Sequence, residues 1–176
     1  PFSHTDMRTL KHDNPFKWFQ LYWQGYGEKS LALVKLAEQQ NFTAIVITVD
    51  SPHTGIRHRE RRIFFHLPEN MRHPHTPTHI PLPELKEGDH PVFNGLMKIA
   101  PTWDDIAWIV QQTHLPFVLK GILNPLDAKL AIQYGVQGII VSNHGGRVLD
   151  GSIPPLTALQ LIKKAVPSNF PLLYDG

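Results

Sequence analysis

Five short stretches of the chain are apolar almost without a break: residues 17–23 (KWFQLYW), 43–50 (TAIVITVD), 116–122 (PFVLKGI), 136–143 (VQGIIVSN) and 170–176 (FPLLYDG). They are rich in Val, Ile, Phe, Tyr and Trp and lack the polar alternation of a half-exposed strand. That pattern predicts strands buried on both faces of a parallel sheet. Between them lie helical patterns at 28–40, 102–113, 124–135 and 154–166. Leu31, Val34, Leu36 and Ala37 fall on one face of the first, and Ile106, Ile109 and Val110 on one face of the second. Boundary signals agree. Asn124 before Pro125 is a cap and first-turn pair, Gly135 stands where a helix should stop, and Asp104 and Asp105 suit the positive end of a helix dipole.

Strand and helix in alternation at short spacing predict a parallel α/β fold. A doubly wound sheet and a (β/α)8 barrel both fit. No GxGxxG opens a helix, which disfavours the nucleotide-binding doubly wound fold. The polar residues instead gather at the C-terminal ends of several strands, as in a TIM barrel. A barrel of eight units typically needs about 250 residues, and this chain of 176 supplies five strands. The expectation is one domain over 1–176, a partial barrel lacking its first and last units and inactive in isolation. The segment 66–101, dense in Pro and His, breaks the rhythm and predicts a long irregular loop. Its histidines (His73, His75, His79 and His90) lack helical spacing and a carboxylate cluster, so a solvated loop is preferred over a metal site.

Composition narrows the class. Hydrophobic residues at 41% and charged residues at 18% describe a globular chain. A net charge of +2 and no long basic run argue against nucleic acid as a partner. The absence of cysteine excludes disulfides and thiolate metal sites and fits a cytoplasmic protein. No apolar run approaches the ~18 residues of a membrane span. The tryptophans (Trp18, Trp23, Trp103 and Trp108) read as packing residues. His53, His58, His66 and His114 read as surface positions, as do Arg59, Arg61 and Arg62.

The strand ends carry the chemistry. The first offers Gln20 and Tyr22, the second Thr48 and Asp50, the third Lys120. The fourth offers Ser142, followed by Asn143, His144 and Arg147, and the fifth offers Asp175. A lysine closing an apolar strand is costly to desolvate without a partner. His144 on a glycine-flanked loop suits a general base, and Asp50 suits the carboxylate that orients it. Arg57 and Arg147 offer guanidinium geometry matched to a carboxylate. Gln20, Thr48, Lys120 and Ser142 suit something flat and polar that gains negative charge near the lysine. A base, two carboxylate clamps and an electron acceptor point to oxidation next to a carboxylate.

The motifs FQLYW, TVDSPHTGIRHRE, LPFVLKGIL and VSNHGGRVLDG resemble those of the FMN-dependent α-hydroxy acid oxidases and dehydrogenases. That family includes glycolate oxidase, lactate oxidase and monooxygenase, mandelate dehydrogenase and the flavin domain of flavocytochrome b2. The motifs run in family order through nearly the whole chain, and SNHGGR with LKG upstream is the most specific pair. The resemblance implies FMN as cofactor and a small 2-hydroxy acid as substrate. Its product would be the 2-keto acid, with a hydride equivalent passing to flavin N5. O2, a quinone or a cytochrome is the implied acceptor, and a tetramer the implied assembly. It implies His144 as base, Asp50 as its partner, Tyr22, Arg57 and Arg147 as substrate contacts, and Gln20, Thr48, Lys120 and Ser142 as flavin contacts. Asp175 and Gly176 begin the segment that approaches the ribityl chain and phosphate, and the arginine-bearing continuation lies beyond Gly176. Alternatives are an inactive barrel fragment, or another FMN barrel such as a flavin-dependent isopentenyl diphosphate isomerase. The latter calls for a diphosphate site rather than an arginine pair beside a base.

Overall fold

The computed structural model describes residues 3–10, 15–52, 58–63, 68, 71, 73–75 and 82–176, the side chains of residues 60 and 61 excepted. All five predicted strands are present: β1 (Trp18–Tyr22), β2 (Ala44–Thr48), β3 (Phe117–Ile122), β4 (Gly138–Ser142) and β5 (Leu172–Asp175). They form one parallel sheet in the order β1-β2-β3-β4-β5. Each strand pairs with its successor in sequence, which is how a barrel wall is built. A doubly wound sheet would reverse direction at a switch point. The fold is therefore a partial (β/α)8 barrel.

Four predicted helices appear as α1 (Gly27–Gln39), α3 (Trp103–Gln111), α4 (Pro125–Gln133) and α5 (Pro155–Ala165). The start of α3 is a capping box: the Thr102 hydroxyl accepts from the Asp105 amide at 3.3 Å, and the Asp105 carboxylate accepts from the Thr102 amide at 2.8 Å. Asn124 accepts from the Leu126 amide at 2.9 Å to open α4, and Gly135, at φ +84°, closes it. A short helix α2 (His58–Arg62) was not legible in the pattern. Its described side chains, His58, Arg59 and Arg62, are all exposed and give no apolar period.

The pleat divides the strands between two environments. Phe19, Leu21, Ile45, Ile47, Phe117, Leu119, Ile139 and Val141 face the helices and are buried there with Val34, Ala37, Ile106, Ile109, Ala128, Ala131, Ala158 and Ile162. Each large aliphatic or aromatic side chain sealed in this layer stabilises by roughly 1.5–3 kcal/mol. On α1, Val34 and Ala37 are buried as expected, but Leu31 and Leu36 are only partly so. Ser30 is fully buried in their stead, because its hydroxyl accepts from the Gln24 amide at 3.0 Å and anchors the turn before the helix.

The two sheet faces differ in burial within these five strands. On the second face Val46 and Val118 are buried, while Trp18 is 49% and Leu173 39% exposed. That face turns inward when a sheet curls toward closure. Trp18 lies on this inward-turning face and is half-exposed among the described residues. Trp103 does pack, stacking on Tyr134 at 5.6 Å, and Trp108 fills the space a side chain on Gly27 would need.

Within 66–101, the described residues include a π-helical turn at Pro91–Gly95 and a 3-10 turn at Leu96–Ile99. His75 is not solvated. It is buried, and its Nε2 accepts from the Met7 amide at 2.8 Å. No group of three or more metal-ligating side chains occurs among the described residues. Nor is any described helix long and apolar enough to cross a membrane. His79 lies outside the described residues, as do His53 and His66; His114 is exposed, in line with a surface position.

Candidate active site at the strand ends

The parallel register brings the polar residues to one edge. Lys120 is level with Thr48 across β2 and β3, and Ser142 with Asp175 across β4 and β5. Tyr22 is level with Thr48, and Gln20 lies one pleat earlier on the same face. The Gln20 amide reaches diagonally to the Thr48 hydroxyl, donating at 2.7 Å. Thr48 and Ser142 are buried, and Gln20, Tyr22 and Lys120 are partly buried.

Lys120 answers the desolvation question that its position raises. Its Nζ donates to the Ser142 Oγ at 2.7 Å and to Asp175 at 2.8 Å. Asp175 therefore meets the lysine itself. Burial pushes the Asp175 carboxyl up. Hydrogen bonds from Lys120 and Ser142, with the charges of Lys120 and His144, outweigh burial and hold it below the usual carboxylate range. The strand-end cation is thus set in a local network of opposite charge.

His144 stands on the adjoining loop. Its Nδ1 lies 2.9 Å from the Asp50 Oδ1. A carboxylate can only accept, so the shared proton belongs on Nδ1, which leaves Nε2 with an open lone pair. The backbone here is left-handed for three residues, with φ +58° at His144, +66° at Gly145 and +67° at Gly146. For the two glycines this costs little, whereas for His144 it costs roughly 1–2 kcal/mol. Two side chains hold the bend. The Ser142 Oγ accepts from the His144 amide at 3.0 Å, and the Asn143 Oδ1 accepts from the Gly146 amide at 3.2 Å. Gly176 packs under the same loop, where an added Cβ would lie 2.7 Å from the Asn143 Oδ1.

The structure thus brings together Asp50 with His144, Gln20 with Thr48, and Lys120 with Ser142 and Asp175. Arg147 is exposed and follows the His144 turn. Arg57 lies outside the described residues. Asp50 carries one unusual feature: its Oδ2 is buried with no hydrogen-bond partner among the described residues. Two contributors escaped the sequence reading. Asn143 was seen only as a strand-end polar residue, and Gly121 only as part of the LKG motif. A break in the strand's two-residue period at Lys120-Gly121 was the available signal for the second. A cavity of about 290 Å³ lies beside this row, lined by Trp103, Ile106, Leu119, Gly121 and Asp127 among others.

The model of the family described as FMN-dependent dehydrogenase matches residues 2–176. The chain belongs to this family. The family's cofactor is FMN. The chain is 43% identical over 166 residues to an L-lactate oxidase of Roseobacter sp. (strain GAI101), an alignment spanning 91% of this chain and 44% of that protein. It is 40% identical over 167 residues to 2-Hydroxyacid oxidase 1 of Mus musculus, spanning 91% and 45%. A solved structure of mandelate oxidase with 3,3-difluoro-2-hydroxy-3-phenylpropionic acid superposes with a TM-score of 0.72 at 40% identity, covering 90% of this chain and 42% of that one. Another, a mandelate oxidase variant with a C4a-OH-FMN adduct, gives 0.71 at 38% identity. The chain spans less than half the length of these relatives.

The donor set fits the family's cofactor. An amide, two hydroxyls and an ammonium lie in one row along the sheet edge, complementary to a flat ring with a polar rim. An ammonium among them is a cation that could stabilise negative charge gained by such a ring on reduction.

Proposed function

We propose that the protein oxidises a small 2-hydroxy acid, lactate- or glycolate-like, to the corresponding 2-keto acid. The observation carrying this reading is the Asp50–His144 pair at 2.9 Å, on the same sheet edge as the Lys120–Ser142–Asp175 network. The reaction removes two electrons and two protons from the carbinol. Bound FMN supplies the two-electron acceptor. His144 takes a proton at Nε2, from the hydroxyl or the α-carbon, and Asp50 holds the ring in the required tautomer and stabilises the imidazolium. Arg147 and Arg57 clamp the substrate carboxylate through paired N–H donors, and Tyr22 hydrogen-bonds the substrate from the end of β1.

Gln20, Thr48, Ser142 and Lys120 would hold the polar edge of FMN, with Asp175 and Gly176 toward its ribityl chain and phosphate. Residues 1–176 act as one partial barrel domain, with 66–101 as a segment whose sequence varies within the family. Relatives named as oxidases support O2 as acceptor over a quinone or a cytochrome. A cytoplasmic tetramer belongs to the same reading. The test is product formation by the full-length, FMN-loaded protein against lactate, glycolate, mandelate and longer 2-hydroxy acids. Keto acid from at least one of them is expected, and no keto acid from any of them would refute the proposal.

A further inference from the structure

Gly121 is the point where β3 departs from regular pairing. Lys120 is level with Ile140 and Ile122 with Val141, so one extra residue, Gly121, is inserted opposite β4. Such bulges re-aim neighbouring side chains. Here the conformation is left-handed, with φ +109°, and the space where a side chain would start is already taken. An added Cβ would lie 2.5 Å from the Asp50 Cβ, 2.6 Å from its Cγ and 2.9 Å from its backbone nitrogen. All three of these nearest atoms belong to Asp50. The neighbouring backbone is tied as well, since the Val49 amide donates to the Lys120 carbonyl at 3.0 Å. A side chain at Gly121 would therefore displace Asp50 from its Cβ outward, and its carboxyl with it, away from His144.

We propose that Gly121 is a positioning residue: its missing side chain is the slot that holds the Asp50 carboxylate against His144 Nδ1. The bulge serves two neighbours at once. Lys120 stays aimed at Ser142 and Asp175, while the next residue yields its side-chain volume to Asp50. The buried, unpartnered Oδ2 of Asp50 fits this arrangement. The carboxylate is placed by steric exclusion and one hydrogen bond to His144, without a second donor among the described residues to hold it.

The inference rests on His144 acting as base, and its test separates the two claims. In the full-length, FMN-loaded protein, Gly121→Ala should abolish the downfield proton resonance of His144 Nδ1–H, a signature of a charge-assisted hydrogen bond. The same variant should lower kcat by about 100-fold, the scale of a 1 Å misplacement, with KM little changed. A thermal cycle adds a readout independent of activity. Combined with Asp50→Gly, the Tm loss caused by Gly121→Ala should fall by roughly half, since the backbone contact and the φ strain remain. This holds even where the single variant folds poorly. A folded Gly121→Ala protein with its resonance and kcat intact overturns the inference, as does an equal Tm loss in both backgrounds. If His144→Ala retains activity, the base assignment fails alone, because the resonance and the thermal cycle still report on Gly121.

Discussion

Replacing Ser142 by Ala isolates the contact that joins the two halves of the site. Ser142 is fully buried, and its Oγ accepts from Lys120 Nζ at 2.7 Å and from the His144 amide at 3.0 Å. Alanine leaves almost no cavity, so packing contributes little to the change. The loss is the two hydrogen bonds Ser142 accepts, with the one it gives to the exposed Asp175 carboxylate replaced by water. One to a charged donor is worth about 1.5–3 kcal/mol and one to a neutral amide about 0.5–1.5. Lys120 keeps Asp175 as a partner and is 17% exposed, so water can recover part of the first. The expected destabilisation is therefore about 1.5–3 kcal/mol. His144 would also lose the bond that stabilises its left-handed backbone, which moves the ring from Asp50. A fall in kcat of about 100-fold should accompany the stability loss. Urea denaturation of the full-length protein measures the first quantity and steady-state turnover the second. A change below about 0.5 kcal/mol, the range of an inert surface substitution, with turnover intact would refute the role given to Ser142.

Three further outcomes are expected. Asp50→Asn keeps the shape but reverses the donor pattern facing Nδ1, so kcat should fall by up to about 10⁴-fold while FMN content, read from absorbance, is unchanged. Thr102→Ala removes the α3 capping box and should cost about 1 kcal/mol in chemical denaturation, with substrate turnover unaffected. His75 has its pKa lowered by burial, against the opposing charge of Asp6. Its folded form therefore binds fewer protons than the unfolded chain, and the stability it contributes is present above pH ~6.5 and lost as pH falls below that value. His75→Gln should flatten the pH dependence of the urea midpoint in that window.

Most of the fold was legible because the five strands are near-continuous apolar runs and the helices α1, α3, α4 and α5 carry apolar faces or boundary residues. The missing GxGxxG and the polar strand ends already favoured a barrel over a doubly wound sheet, but strand order itself is encoded in no local pattern. The β1-to-β5 succession agrees with the barrel. The exposure of Trp18 and Leu173 was hidden for a related reason: burial on the second face depends on what closes over it, not on the strand's own residues. The site's residues were visible as polar groups ending apolar strands, yet their pairings were not. That Lys120 takes Asp175 as partner depends on register across two strand pairs. Gly121 was invisible because its contribution is an absent Cβ, and only the position of Asp50 gives that absence a purpose. The burial of His75 depended on Met7, 68 residues away in sequence.

The central step is His144 taking a proton from a 2-hydroxy acid within reach of FMN. The most direct measurement is the anaerobic loss of the flavin's visible absorbance when the full-length protein is mixed with its best 2-hydroxy acid, compared with His144→Ala. Rapid reduction in the wild type, slowed by at least about 100-fold in the variant with FMN still bound, is the predicted result. Equal rates in the two proteins, or bound flavin that no 2-hydroxy acid reduces, would contradict it.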